Sequence, residues 1–262
     1  MALTVSFALQ KGGTGKTTTV ANTAYILAEA GKKVAVVDFD SQGNLSQAFG
    51  VDPDNLELTI MDVILGKCHL KDICFNKLSI DIYPANDWLS RLDMVLIKHS
   101  KEYPKPGHVL KNILDTIKNN YDYILIDLPP SLGLLTINGL TASDALIIPM
   151  QCEYFAMSGL RRMLSTINSV IIPDFNPDIK VMGVLPTMFD RRLNLNVSVL
   201  ESVRKDLANS PYKVYDTCIS RATKFGFAPI KGRPAVEIYK DDKAVQEYRN
   251  FVKEAFGVWQ KQ

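Results

Sequence analysis

The segment "ALQKGGTGKTTT" (residues 8–19) constrains this chain more than any other feature. It follows the apolar run "LTVSFAL" (3–9) and leads into an amphipathic stretch over 16–30. A strand, a glycine-rich turn and a helix in that order are the setting a phosphate-binding loop needs. Gly12, Gly13 and Gly15 let backbone N–H groups close around phosphate oxygens, and a helix beginning near Lys16 adds the partial positive charge of its N-terminus. Lys16 can reach the β and γ phosphates, and the Thr17 hydroxyl can ligate Mg²⁺. Thr14 and Thr18 complete the candidate nucleotide-binding set. The spelling nevertheless departs from G-x-x-x-x-G-K-[ST]. Gln10 stands where the first glycine belongs, and a second lysine, Lys11, follows it.

Two further stretches supply carboxylates. "VVDFDSQGN" (36–44) carries Asp38 and Asp40 at the end of a second apolar run. Alternation along a strand puts both on one side, and parallel sheets bind ligands beyond their C-terminal strand ends. A carboxylate there can orient or deprotonate an attacking water, or hold Mg²⁺ through water. Asp and Asn are also ordinary turn formers, so a capped turn explains the stretch taken alone. "YILIDLPPSLG" (123–133) ends four apolar residues on Asp127, the form of a Walker B element whose Asp supports Mg²⁺ through water. Pro129 and Pro130 then stop the strand.

The rest of the chain alternates short β-branched runs with longer amphipathic stretches. Strands are expected at 3–9, 33–40, 79–85, 121–129, 144–150, 179–186 and about 213–219. Helices are expected at 16–30, 89–99, 107–119, 154–170, 194–208 and 242–256, with 50–78, 100–107 and 220–240 least regular. Apolar strands alternating with helices predict an α/β fold, a mostly parallel twisted sheet covered by helices on both faces. No linker, repeat or low-complexity segment interrupts the pattern, so residues 1–262 read as one P-loop domain.

Composition excludes little. The chain is 47% hydrophobic and 22% charged, enough to bury a sizeable core. It has no apolar run of about 18 residues, and its N-terminus lacks the basic start of a signal peptide. The net charge of +2 is unevenly spread: residues 1–150 carry 13 basic and 16 acidic side chains, residues 151–262 carry 17 and 12. A mildly basic second half fits a polyanion partner or a solvated surface. Cys68, Cys74, Cys152 and Cys218 have neither C-x-x-C nor zinc-site spacing and read as scattered buried thiols.

Taken together, "KGGTGKTT", "DFDSQGN" and "IDLPPSLGLLTINGLTASDALIIPMQCEYFAMSGL" resemble the ParA/Soj family of deviant-Walker ATPases. The resemblance continues through "GVLPTMFDRR" and "ISRATKFGFAPIKGRP" to the end of the chain. It implies an ATPase that binds ATP and Mg²⁺ and forms a homodimer with two nucleotides between the subunits. It also implies nonspecific double-stranded DNA binding by the ATP dimer, and hydrolysis stimulated by a ParB-like centromere-binding partner. Lys11 matches the lysine that crosses to the other subunit's phosphates, a trans-acting cation of the kind worth about 10³–10⁵ in rate. Asp40 matches the residue that positions the hydrolytic water. Asp38 ranks behind it as a supporting group. Gly12 would allow close approach at the dimer seam.

Two departures from the family pattern stand out. Ser41 replaces the usual proline of "DPQGN", and "SRATKFGFAPIKGRP" replaces the usual "PRNVRLSEAPSHGKP". Arg221 is kept there, Lys224 stands for arginine and Phe227 for glutamate. The candidate DNA contacts are Arg191, Arg192, Arg221 and Lys224, followed by Lys231 and Arg233. No helix-turn-helix extension precedes the first strand, so operator-specific repression is not expected. The C-terminal stripe Val245, Tyr248, Val252, Ala255, Phe256 and Trp259 fits core packing better than the membrane anchor of the related MinD proteins. The expected location is therefore cytoplasmic and nucleoid-associated. The alternative is a MinD-like or cargo-positioning ATPase acting on membrane or protein. A reductase or metal-delivery protein of this fold would want paired cysteines, and a metabolic kinase would leave Lys11 without a task.

Overall fold

The computed structural model of the chain describes residues 1–257. Seven strands form one sheet: β1 (Leu3–Phe7), β2 (Val34–Asp38), β3 (Phe75–Lys77), β4 (Ile80–Tyr83), β5 (Tyr123–Asp127), β6 (Ala145–Gln151) and β7 (Lys180–Thr187). Their order is β3-β4-β2-β5-β1-β6-β7, parallel except for the antiparallel edge strand β3. Helices α1 (Lys16–Glu29), α2 (Asn44–Ala48) and α3 (Ile60–Ile64) fall in the first half, with α4 (Leu92–Lys98) and α5 (Val109–Asp115) before β5. Beyond it come α6 (Leu134–Thr141), α7 (Ala156–Thr166), α8 (Asn194–Leu207), α9 (Lys224–Phe227), α10 (Ala235–Ile238) and α11 (Lys243–Phe256).

The two faces of the sheet follow from alternation. Ala35, Val37, Ile124 and Ile126 enter the core that carries α4 to α7, while Val5, Phe7, Val34, Val36 and Leu125 enter the core under α1 and α11. Each large side chain buried in this way contributes about 1.5–3 kcal/mol. The loops that follow β1, β2, β5, β6 and β7 all leave the C-terminal edge of the parallel strands, where the candidate residues lie. α1 starts on Gly15 and ends at Gly31, both in the left-handed conformation.

Several expectations need correction. Residues 213–219 do not form a strand. The segment runs beside β7 but bridges it only between Val184 and Val214, and a second isolated bridge, Phe189 with Ser220, lies just beyond both. The reason is a contact from a distant helix: the N–H groups of Asp216 and Thr217 donate to the Glu254 carboxylate instead of a ladder carbonyl. The 154–170 helix changes to a wider π-helical form over Ile167–Phe175, which contains Pro173. β3, α3, α9 and α10 fall in stretches that looked irregular, because each is only three to five residues long. Of the cysteines only Cys152 is fully buried, and burial pushes its thiol up to about 12; the other three are half-buried.

The C-terminal stripe packs as expected. Val245, Tyr248, Phe251 and Val252 of α11 are buried in the core beside α1, while Trp259 lies outside the described residues. No helix among the described residues is long and apolar enough to cross a membrane.

Candidate functional site

The turn between β1 and α1 is built to leave donors exposed to a ligand. Gly13 (φ +71°) and Gly15 (φ +80°) adopt the left-handed conformation that glycine accepts without strain. Among the described residues no side chain caps the N-terminus of α1, so its first N–H groups remain available to an anion. Thr187 donates its hydroxyl to the Thr14 carbonyl (2.8 Å), pinning the loop to the end of β7.

Lys16 is nearly buried, at 7% exposure, and its Nζ donates to the Lys11 carbonyl at 3.2 Å. Burial lowers its pKa, and the nearby carboxylates of Asp127 and Asp40 oppose that shift. A cation held this way is set to meet phosphate charge in a low dielectric. Thr17 Oγ1 donates to Asp127 Oδ2 at 2.5 Å, while Asp127 Oδ1 is buried with no hydrogen-bond partner among the described residues. A hydroxyl and a carboxylate with an orphaned oxygen fit a Mg²⁺ site. No group of three or more acidic, His or Cys side chains among the described residues could hold a metal alone. A hard cation that keeps waters and borrows phosphate oxygens suits such a sparse donor set.

β2 brings the other two carboxylates alongside. Asp38 lies in register with Asp127 on the neighbouring strand. It is fully buried, and burial raises its pKa to about 7 despite hydrogen bonds from Ser46. Asp38 Oδ2 accepts from Ser46 N (2.8 Å) and Ser46 Oγ (2.7 Å), which ties the turn carrying Asp40 to the strand. Asp40 is 9% exposed, and its Oδ1 accepts from Gln42 N at 3.1 Å. Burial also raises the Asp127 pKa well above the carboxylate range, and the charge of Asp38 adds to it.

A cavity of about 350 Å³ opens beside the loop. Gly15, Thr18, Thr187, Ser220, Phe225 and Tyr248 line it, so a nucleoside joined to phosphates on the loop would fall here. Met188 in its wall has φ +49°, a strained value for a bulky residue and of the kind that concentrates at functional sites.

A family model described as "AAA domain" matches residues 2–181. The sporulation initiation inhibitor protein Soj of Bacillus subtilis is 38% identical over 256 residues, covering 97% of this chain and 98% of Soj. The chain belongs to the ParA/Soj family of P-loop ATPases. The chromosome partitioning protein ParA of Caulobacter vibrioides is 37% identical over 236 residues, 88% of this chain and 85% of that protein. Among solved structures, cobyrinic acid a,c-diamide synthase of Mycobacterium smegmatis with bound ATP analog and magnesium superposes with a TM-score of 0.86 at 32% identity. That match covers 100% of this chain and 96% of the synthase.

The distinctive lysine of this ParA/Soj chain is engaged within its own chain. Lys11 Nζ lies 2.6 Å from Glu153 Oε2, and Gln151 donates to the other oxygen of Glu153. Gly12 beside it has room: a Cβ there would meet no atom within 4 Å among the described residues other than its chain neighbours.

The candidate DNA contacts divide. Arg191, Arg192 and Arg221 line one groove of about 220 Å³, joined by Lys243, which sequence reasoning missed. Arg192 is already paired with Asp190 (2.7 Å). Lys224 is not among the residues that line this groove; it is bound to Asp242 and lies 5.5 Å from the centre of the Tyr239 ring. Lys231 lies 5.3 Å from the same ring, and Arg233 pairs with Glu237. Glu153, Ser46 and Thr187 also escaped the sequence reading. Each is an ordinary polar residue, and only the fold brings Glu153 and Thr187 to the loop and Ser46 to Asp38.

Proposed function

We propose that this chain is an ATP-dependent DNA-partitioning ATPase whose ATP-bound homodimer binds double-stranded DNA nonspecifically and whose hydrolysis releases it. The observation that carries the reading is Lys11: a second cation at the rim of a phosphate loop that has lost its first glycine, beside a glycine that leaves space for a neighbour. A loop acting alone needs one lysine. A second at the rim suits a cation offered to the phosphates of a facing subunit.

In this reading the glycine loop and the N-terminus of α1 bind the phosphates, with the base in the cavity lined by Phe225 and Tyr248. Lys16, and Lys11 of a second copy, stabilise charge on the transferring phosphoryl group. Asp40 orients the attacking water. Thr17 and Asp127 would hold Mg²⁺ partly through water, and that ion supplies neutralisation of phosphate charge. Arg191 and Arg221 are exposed and serve DNA phosphates, a contact that weakens with salt. A ParB-like partner stimulates turnover, and the protein works on the cytoplasmic nucleoid. A MinD-like membrane role is disfavoured because the apolar face of α11 is already packed in the core.

Sedimentation with ATP, ADP and no nucleotide tests the reading. A dimer with ATP alone supports it. A monomer in all three states, with ATP bound, contradicts it.

A further inference from the structure

Two cavities meet at one short segment. Ile219, Ser220, Arg221 and Ala222 line the cavity beside the phosphate loop, and Ser220 and Arg221 also line the basic groove. One side chain grips the segment from α11. The Glu247 carboxylate accepts both from Ser220 N (2.6 Å) and from Ser220 Oγ (2.8 Å). Bonds to a carboxylate are charge-assisted and stronger than neutral ones. On the other side Ile219 N donates to the Pro186 carbonyl (2.8 Å), and Phe189 N donates to the Ile219 carbonyl (2.9 Å). The same stretch of α11 gives Tyr248 to the first cavity and Lys243 to the second. The Tyr248 hydroxyl lies 3.2 Å from Thr19 Oγ1, on the helix that follows the phosphate loop. The same two residues, Ser220 and Arg221, thus face both cavities under one grip.

We infer that Glu247 is a positioning residue that makes residues 219–222 a common wall, coupling nucleotide occupancy to polyanion binding within a single chain. The inference rests on the reading of the basic groove as a DNA site. Coupling of this kind is reciprocal: DNA tightens nucleotide binding by the same factor by which nucleotide tightens DNA binding. Dimerisation supplies a separate route between the two ligands, so the test must follow it alongside.

The experiment measures the affinity of the full chain for a fluorescent non-hydrolysable ATP analogue, with and without a short random-sequence duplex. Wild type, Glu247→Gln, Ser220→Ala and Ser220→Thr are compared, and dimerisation is followed by sedimentation. The duplex should tighten analogue binding to wild type by about tenfold, inside the usual range for coupled sites. Glu247→Gln and Ser220→Ala should lower that factor to the part that dimerisation alone supplies, while the analogue still drives dimerisation. Ser220→Thr, which keeps the hydroxyl, should restore it. Should Glu247→Gln fail to fold, Ser220→Ala decides, since it removes only one hydrogen bond. A wild-type factor retained in Ser220→Ala, or lost only in step with the dimer, overturns the inference. So does a wild type that binds duplex with no change in analogue affinity. Absence of duplex binding by wild type in every nucleotide state overturns the DNA reading itself, and this inference with it.

Discussion

The Lys11 ammonium lies 2.6 Å from the Glu153 carboxylate, an ion pair that joins the phosphate loop to the turn after β6 in the same chain. The cation that breaks the ordinary loop spelling is thus engaged within its own chain. Its side chain is 32% exposed and that of Glu153 43%, so the pair is weak, about 0.2–1 kcal/mol. Glu153→Gln should therefore lower the protein concentration needed for the ATP dimer by about 1.4- to 5-fold per released lysine. Sedimentation across a concentration series reads the shift. Lys11→Ala should keep ATP binding and lose partner-stimulated hydrolysis; normal stimulated turnover in that variant contradicts the trans role.

Asp40→Ala should hold the ATP dimer on DNA, because nucleotide binding survives while the attacking water loses its orienting carboxylate. Co-sedimentation with DNA and a phosphate-release assay check both halves. A monomeric variant that stays off DNA contradicts the role given to Asp40.

Gly12 and Gly43 should respond in opposite ways to added side chains. Among the described residues a Cβ on Gly12 meets no atom within 4 Å other than its chain neighbours, so Gly12→Val should keep its melting temperature and lose the ATP dimer. Gly43 has φ +64°, and a Cβ there would lie 2.5 Å from Pro53 Cγ. Gly43→Ala should cost about 1–3 kcal/mol in stability, read by denaturant unfolding. A dimer of unchanged affinity in Gly12→Val removes the seam assigned to that glycine.

Asp38 sets a pH dependence. Its folded pKa of about 7 lies above the ordinary carboxylate value, so the folded chain binds the proton more tightly than the unfolded chain. The stabilisation is present in acid and is lost as pH rises from about 4 to about 7, at up to about 1.4 kcal/mol per pH unit. Nucleotide-free wild type should lose stability relative to Asp38→Asn across that window, checked by unfolding at pH 5 and pH 8. A constant difference between the two proteins contradicts the assignment.

The centre of the site was legible because its parts are local. Loop, lysine and threonine lie within a dozen residues, Asp38 and Asp127 end apolar runs whose strand character is unambiguous, and Asp40 follows two residues later in the turn. The sheet was legible for the same reason, since buried parallel strands read as continuous β-branched runs. What escaped depends on contacts distant in sequence. Glu153 lies 142 residues from the lysine it binds, and Ser220 is held by a glutamate 27 residues away. The 213–219 segment has strand composition, yet α11 carboxylates take the N–H groups a ladder would need. Lys224 has the charge of a DNA contact, and only the fold shows it tied to Asp242.

The most direct test of the central claim is DNA binding by the purified chain with ATP, with ADP and with no nucleotide, at two salt concentrations. The expected result is binding with ATP alone that weakens steeply with salt. Arg221→Ala should then flatten the salt slope by about one unit. Absence of DNA binding in all three states, despite an ATP-dependent dimer, would contradict the partitioning function and point to membrane or protein cargo instead.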